Sequence, residues 1–367
     1  MSETTQTGAA TRSRADHDEH RDRAAGLVEA VLGTGAAPTR LRRVYGLVRF
    51  GPRIVREYLR DCARFLRYSA SLSVASRRNL RAKITEAFHN IEKGLSLPAP
   101  RPGFGAQAID NLLSLCDAYA ARYSADERVL YAARDVLREY QRFNEAAGHP
   151  DYPHRRRLDA FVNRLRGGGD QRYGGVRPMS RASVAAAIDG VRTEFFLQRH
   201  SVRQFSGEPV DLALIDEAVR IALKAPAVCN RQYSRIVVVA DPDRIGEALR
   251  MQGGARGFAD AVDKLIVVTT PASQFWAAEE RNQPWIDGGL FAMSLLLGLH
   301  AQGLGTCCLN WSKDNARTAR MRRFLDLDED ELIVMMIAVG HLPDTFQVAY
   351  SHRVPPSECM RVLDRAA

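Results

Sequence analysis

An all-α half followed by a half of mixed α and β is the fold class this sequence predicts. Three observations carry that reading. From about Leu41 to Ala147 the apolar residues recur at steps of three and four, the period of a helix. Later in the chain β-branched runs appear, RIVVVA, KLIVVTT and LIVMMIAVG, separated by helical segments. Between the two halves lie AGHPDYPHRRR and RGGGDQRYGGVRP, rich in Gly, Pro and charge. At 367 residues the chain is long enough for two domains of about 100–200 residues each. With 46% hydrophobic and 26% charged residues it has the composition of an ordinary globular protein with a sizeable core.

The elements follow in order. The first two dozen residues are polar and poor in aromatics, so a disordered tail is expected over 1–25. A helical domain is expected over 26–150. There Leu59, Cys62, Phe65 and Leu66, then Ile109, Leu112, Leu113, Cys116 and Tyr119, mark faces that pack helix on helix, as do AIDNLLSLCDAYAARY and ERVLYAARDVLREYQRF. A linker is expected over 151–185, with one helical stretch, LDAFVNRLR. The second domain is expected over 186–367, opening with the helices ASVAAAIDGVRTEFFLQR and DLALIDEAVRIALKA.

Several classes drop out at this level. No stretch reaches the roughly 18 apolar residues of a membrane-spanning helix, and the polar start has no apolar signal core, so a cytoplasmic location is expected. Six scattered cysteines form no CxxC pair, and nine histidines form no cluster; reduced, mostly buried thiols and no metal are expected. The net charge of +9 is concentrated: Arg40 to Lys83 holds 13 Lys or Arg against Glu57 and Asp61. No aromatic-interleaved basic motif accompanies it, so nucleic acid is not an expected partner.

Three segments carry candidate chemistry. Arg199 to Phe205 reads RHSVRQF, with two guanidinium groups four residues apart and a hydroxyl at Ser201 between them. That donor set suits a phosphate, which guanidinium groups hold through charge-assisted hydrogen bonds, although two arginines near a helix end are more often a solvated face. APAVCNRQYSRIVVVA places Asn230 and Gln232 in a loop before a strand, where side-chain amides match the alternating acceptors and donor of a heteroaromatic edge. Turn-forming polar residues are the plainer reading of that loop alone. WIDGGLFAMSLLLGLHAQGLGTCCLNW runs from an apolar helix into Gly303-Leu304-Gly305-Thr306. There glycine permits close approach of a planar ligand or simply stops the helix.

In this order, with SHRVPPSE near the end, the segments resemble the nitroreductase family of flavin mononucleotide (FMN) enzymes. The resemblance spans about 170 residues, Arg192 to Leu363. It implies a central, mostly antiparallel sheet flanked by helices, an α+β fold preceded here by the all-α domain. In that family R-x-S-x-R-x-F binds phosphate and ribitol, N-x-Q contacts the ring, D-x-G leads into GLGTCWxGW beside the ring, and a late basic residue returns to the phosphate. The matching positions are Arg199, Ser201, Arg203 and Phe205; Asn230 and Gln232; Asp287 and Gly289, then Leu304, Gly305 and Trp311; and Arg353. His200 stands where an arginine is frequent, Ala227 where a serine is usual, Tyr233-Ser234 where Pro-Trp is common and Cys308 where a tryptophan is. Cys307 and Cys308 read as buried strand cysteines rather than reactive thiols.

The resemblance further implies an NADH- or NADPH-driven ping-pong reduction of a small acceptor, with no protein nucleophile and so no assigned catalytic residue. It also implies a homodimer with flavin at the subunit interface. Two other functions stay open: a flavin-dependent dehydrogenase, and a weakly catalytic flavin module that serves an assembly through its helical domain.

Arg49, Arg53, Arg56, Arg60, Arg64 and Arg67 form one stripe along a helix that Pro52 is expected to start. A solvated face, an anionic surface contact peripheral to a membrane, and pairing with acids of the other domain are three readings of it. FHNIEKGLSLPAPRPGFG resembles extensions that precede nitroreductase-like domains in some bacterial polysaccharide-related proteins. Its His89 and Glu92 share a helix face and are expected to bond to each other.

Overall fold

The computed structural model describes residues 39–363 apart from 73–75, 166, 168, 170, 350 and 352, with the backbone alone for 39–47. The tail expected over 1–25 lies outside the described residues. The chain divides into two compact units after Cys62.

The helical region comprises α1 (Thr39–Tyr68), α2 (Arg77–Leu95), α3 (Ala106–Arg122), α4 (Arg128–Ala146) and α5 (Arg155–Arg164). Pro52 was expected to begin α1, and the structure corrects this: the helix runs through it, because a proline inside a helix forfeits one N–H bond and the rest of a thirty-residue ladder persists. α2 starts at a capping box, in which the Ser76 hydroxyl accepts from Asn79 N–H (3.0 Å) and Asn79 Oδ1 accepts from Ser76 N–H (3.1 Å). Ile84, Ile109, Leu112, Leu130, Leu137 and Tyr140 are wholly buried in the core that α2 to α5 share. The interval read as a linker contributes to that core, since Leu158, Phe161, Val162 and Leu165 of α5 and its end are buried in it. His89 Nδ1 lies 3.1 Å from Glu92 Oε2, the expected intrahelical pair, and Glu92 Oε1 accepts from Gly175 N–H at 2.9 Å.

The expected opening helix of the second half is in fact two, α6 (Arg181–Ile188) and α7 (Thr193–Leu197). The break falls at Gly190, whose φ of 83° is the left-handed conformation that ends a helix. Beyond them come α8 (Leu212–Ala222), β1 (Arg235–Val239), α9 (Pro242–Gln252), β2 (Lys264–Pro271), α10 (Gln283–Ala301), β3 (Leu304–Asn310), α11 (Asn315–Leu325), β4 (Glu331–His341) and α12 (Pro356–Cys359). The strands form one antiparallel sheet in the order β1-β2-β4-β3. β2 and β4 are central and buried on both faces, which is why they read as unbroken apolar runs rather than alternating ones.

Successive strand residues serve opposite cores. Leu265, Val267, Met336 and Ala338 meet α9 and α11, while Ile266, Val268, Ile337 and Val339 meet α8 and α10. The fold is therefore an antiparallel α+β sandwich with helices on both faces, joined to an all-α region. Two small residues set the helix layer close. A Cβ on Gly298 of α10 would stand 2.8 Å from the Ala218 carbonyl of α8, and one on Gly288 would stand 2.5 Å from Val334.

Candidate functional site

The first candidate segment, residues 199–206, is extended and pinned to the β3 edge. Ser201 forms a parallel bridge to Thr306, Val202 N–H donates to Thr306 O (2.8 Å), and Ser206 N–H donates to His341 O (3.0 Å). Val202 is buried beneath it, whereas Arg199, His200 and Ser201 are half-buried and Arg203 is exposed. Arg199 bears electrostatically on Cys308 and Arg203 on Cys307, so both cations lie along β3. Burial nevertheless pushes both thiols up, which favours the uncharged thiol.

Leu304 and Gly305 begin β3 and are buried. A Cβ on Gly305 would meet Leu342 at 2.8 Å and the Phe205 ring at 3.3 Å, and one on Gly340 would meet Phe205 at 2.8 Å. Gly305 is thus confined by Leu342 first and Phe205 second, and Gly340 by Phe205, roles that the motif's spacing did not reveal.

The second segment is a tight loop between α8 and β1. Cys229, Asn230 and Gln232 all have positive φ (48°, 53° and 48°), a conformation that costs side-chain-bearing residues energy and persists only where surroundings impose it. Several contacts impose it. Asp287 Oδ2 accepts from Val228 N–H (3.2 Å) while its Oδ1 accepts from Gln283 (2.8 Å), which ties the loop to the start of α10. Burial pushes the Asp287 carboxyl above its ordinary range, partly offset by these bonds. Gln232 Nε2 donates to Asn230 Oδ1 at 2.5 Å, so the two candidate amides engage one another. Of the two matched residues of α10, Asp287 is buried, while Gly289 faces open space and the neighbouring Gly288 is the one in close contact.

Sequence reasoning missed Arg231, which lies between those amides. Its side chain is 1% exposed and holds Glu280 through Nη1 (3.1 Å) and Nη2 (2.8 Å), donates to the Gln274 carbonyl (3.0 Å), and lies 3.5 Å from the Trp276 ring centroid. Lys83 of α2 approaches the same ring at 3.6 Å. Burial pushes Glu280 up, but hydrogen bonds from Arg231 and from Trp276 N–H outweigh it and hold the carboxyl below its usual range. From α2, Glu86 stands 3.8 Å from Arg231 and Thr85 3.3 Å from the Tyr233 hydroxyl. The helical region therefore lies directly against the Asn230–Gln232 loop. No local sequence signal shows this, because Arg231, Glu280 and Glu86 are far apart in the chain.

The C-terminal segment returns to the first one: Gln347 N–H donates to Gln204 Oε1 (2.8 Å). Arg353 lies on the exposed stretch beyond, its guanidinium donating to the Ser351 carbonyl. A cleft of about 510 Å³ lies elsewhere, between Leu249 and Ala261, and none of the candidate residues lines it. Among the described residues no group of His, Cys, Asp and Glu is placed to hold a metal.

The donor set fits a flavin mononucleotide. Two accessible guanidinium groups and a hydroxyl on one pinned segment suit a phosphate, and a strained loop carries two amides suited to a ring edge.

Comparisons with known proteins bear on the C-terminal half of the chain. The profile of the Nitroreductase family matches residues 196–253 and 243–341. The chain is 29% identical over 191 residues to an NADH dehydrogenase of Thermus thermophilus, covering 43% of this chain and 89% of that protein. Among solved structures, a nitroreductase family protein from Streptococcus pneumoniae has 19% identity and a TM-score of 0.40, covering 46% of this chain and 98% of that one. An FMN-dependent nitroreductase from Clostridium difficile has 22% identity and a TM-score of 0.37, covering 43% and 90%. The sheet, its flanking helices and the pinned segment beside β3 thus lie within the part of the chain, residues 196–341, that matches the nitroreductase family model.

Proposed function

We propose that this chain is an FMN-dependent oxidoreductase that takes electrons from NADH or NADPH and passes them to a small acceptor in a ping-pong cycle. The observation that carries the reading is the pinned segment: within the part of the chain that matches the nitroreductase family model, the stretch bearing Arg199, Ser201 and Arg203 is tied to β3 at Thr306 and to β4 at His341. When bound, FMN supplies the two-electron chemistry, and the protein supplies placement and electrostatics. Arg199, His200, Ser201 and Arg203, with Arg353 from the C-terminal segment, are the residues that would hold the phosphate. Asn230 and Gln232, which bond each other here, would supply amide donors and acceptors to the ring edge. Backbone groups at Leu304 and Gly305 complete the ring's surroundings. No side chain is required to act as a nucleophile.

A homodimer is part of this reading. Trp285, Ile286, Leu290 and Met293 form an exposed apolar face on α10, and α6 and α7 bury no residue within the single chain. Such surface is what a second copy of the domain covers.

The test is the visible spectrum of the purified protein reconstituted with FMN and followed anaerobically on adding NADH, then NADPH. Flavin absorbance that bleaches with one donor is the expected result. Replacing Arg199 or Arg203 by Ala is expected to weaken FMN binding by roughly ten- to a hundredfold, the value of a charge-assisted hydrogen bond. Absence of flavin binding defeats the proposal, and bound flavin that neither donor reduces replaces the reductase with a substrate-oxidising or recruiting role.

A further inference from the structure

The helix α1 is thirty residues long, about 45 Å at 1.5 Å per residue, and it carries nine arginines against Glu57 and Asp61, a net +7. At 100° per residue its described side chains sort into two sectors. The arginine stripe from Arg49 to Arg67 occupies one, and Val48, Ile54, Val55, Tyr58, Leu59 and Leu66 occupy the opposite one. In an ordinary surface helix that apolar sector faces a core. Here it faces solvent, with Val48 71%, Val55 56%, Tyr58 73% and Leu59 64% exposed.

We propose that α1 lies in the plane of an anionic lipid surface, its apolar sector at the acyl boundary and its arginines among the headgroups. The two sectors together select this partner. A nucleic acid would engage the arginines and leave the apolar residues in water. A second copy would cover the apolar residues only by bringing two strongly cationic helices together. An anionic bilayer surface satisfies both, because it offers apolar depth and negative headgroups at one boundary. The helix is too polar to span: among the described residues none is long and apolar enough to cross a membrane. Glu57, near Arg56 (3.7 Å) and Arg60 (3.3 Å), leaves both guanidinium groups at least half exposed. At its far end α1 is fixed, with Arg64 bonded to Asn315 of α11 and Tyr68 to Glu329 before β4.

The test is flotation of the purified full-length chain with vesicles of phosphatidylcholine alone or mixed with phosphatidylglycerol. Binding to the mixed vesicles and not to phosphatidylcholine alone is expected. At roughly fivefold per arginine, Arg56→Gln with Arg60→Gln should weaken that binding about twenty-five-fold. Val55→Asp with Leu59→Asp should weaken it roughly tenfold or more by denying the apolar sector its burial. All four side chains are exposed, so the far-UV circular dichroism of each variant is expected to match the parent. Leu59→Trp, in place of those aspartates, should shift its emission to shorter wavelength on the mixed vesicles. Failure to float with them overturns the proposal. So does flotation that survives the aspartate pair, which would mean adsorption by charge alone. Binding of poly(U) as tight as binding of vesicles, and equally indifferent to the aspartates, would assign the stripe to nucleic acid, and loss of self-association in the aspartate variant would assign the apolar sector to a second copy.

Discussion

Two consecutive helices of the same basic stretch meet opposite ends. α2 and α1 are both arginine-rich and both amphipathic, yet α2 buries nine residues and α1 leaves its apolar sector in solvent over Val48 to Leu59. The difference lies in acids hundreds of residues away. Arg78 of α2 reaches Asp330 (2.7 Å), Asp328 and Glu331 (3.7 Å), Asn79 donates to the Ser273 carbonyl (2.5 Å), and Lys83 caps Trp276. The chain from Ser273 to Glu331 thus supplies carboxylates, carbonyls and an aromatic face to one helix. A charge run's fate is therefore set by what the fold brings opposite it, and α2 is the helix that meets those carboxylates.

The largest effect expected from breaking this arrangement is at Arg231, against which Glu86 of α2 and Glu280 both lie. Arg231→Ala leaves Glu280 partly buried without its bidentate partner and should cost about 3–5 kcal/mol, read from urea unfolding. Because Glu280 is held below its usual range, the stability it contributes in the parent is present above its unfolded pKa and lost as pH falls through the folded one. The variant should lose that part of the acid dependence, and an unchanged acid limb would dissociate Arg231 from Glu280.

The helix comparison itself is sharpened by one isoleucine in each. Ile84→Ala in α2 empties a wholly buried position and should cost about 2–5 kcal/mol, whereas Ile54→Ala in α1 should stay within about 0.5 kcal/mol. Equal losses in the two variants would mean that α1 is covered in solution.

The smallest effect belongs to Asp287. Its folded pKa is raised, so its favourable contribution is full below the unfolded pKa and is lost as pH rises through the folded value. Asp287→Asn retains an acceptor for Val228 N–H and should flatten stability across that mildly acidic window with little change below it. A variant whose pH profile matches the parent's would place the titration elsewhere.

Much of the fold was legible because periodicity is a local property. The helices of the first half, the four strands and α8 and α10 were each marked by their own residues, whereas the burial of β2 and β4 on both faces came from the structure. Where the reading slipped, a single residue outweighed the pattern, as at Gly190 between α6 and α7, or failed to, as at Pro52 inside α1. The candidate site was legible as three motifs but not as an assembly. Arg199, Ser201 and Arg203 were visible as a donor set, whereas Arg231 hid between two better-known positions and Gly305 owed its smallness to Leu342 and Phe205.

The sequence by itself determined the order of elements, the concentration of positive charge before residue 84 and the donor types of the candidate site, since each is a matter of residue identity and spacing along one chain. Only the tertiary structure decided that α2 presses on the Asn230–Gln232 loop, that Arg231 is locked to Glu280, and that α1 keeps an apolar face in solvent. Those outcomes depend on which surfaces meet across long separations, and pairwise burial between distant segments leaves no local trace in the order of amino acids.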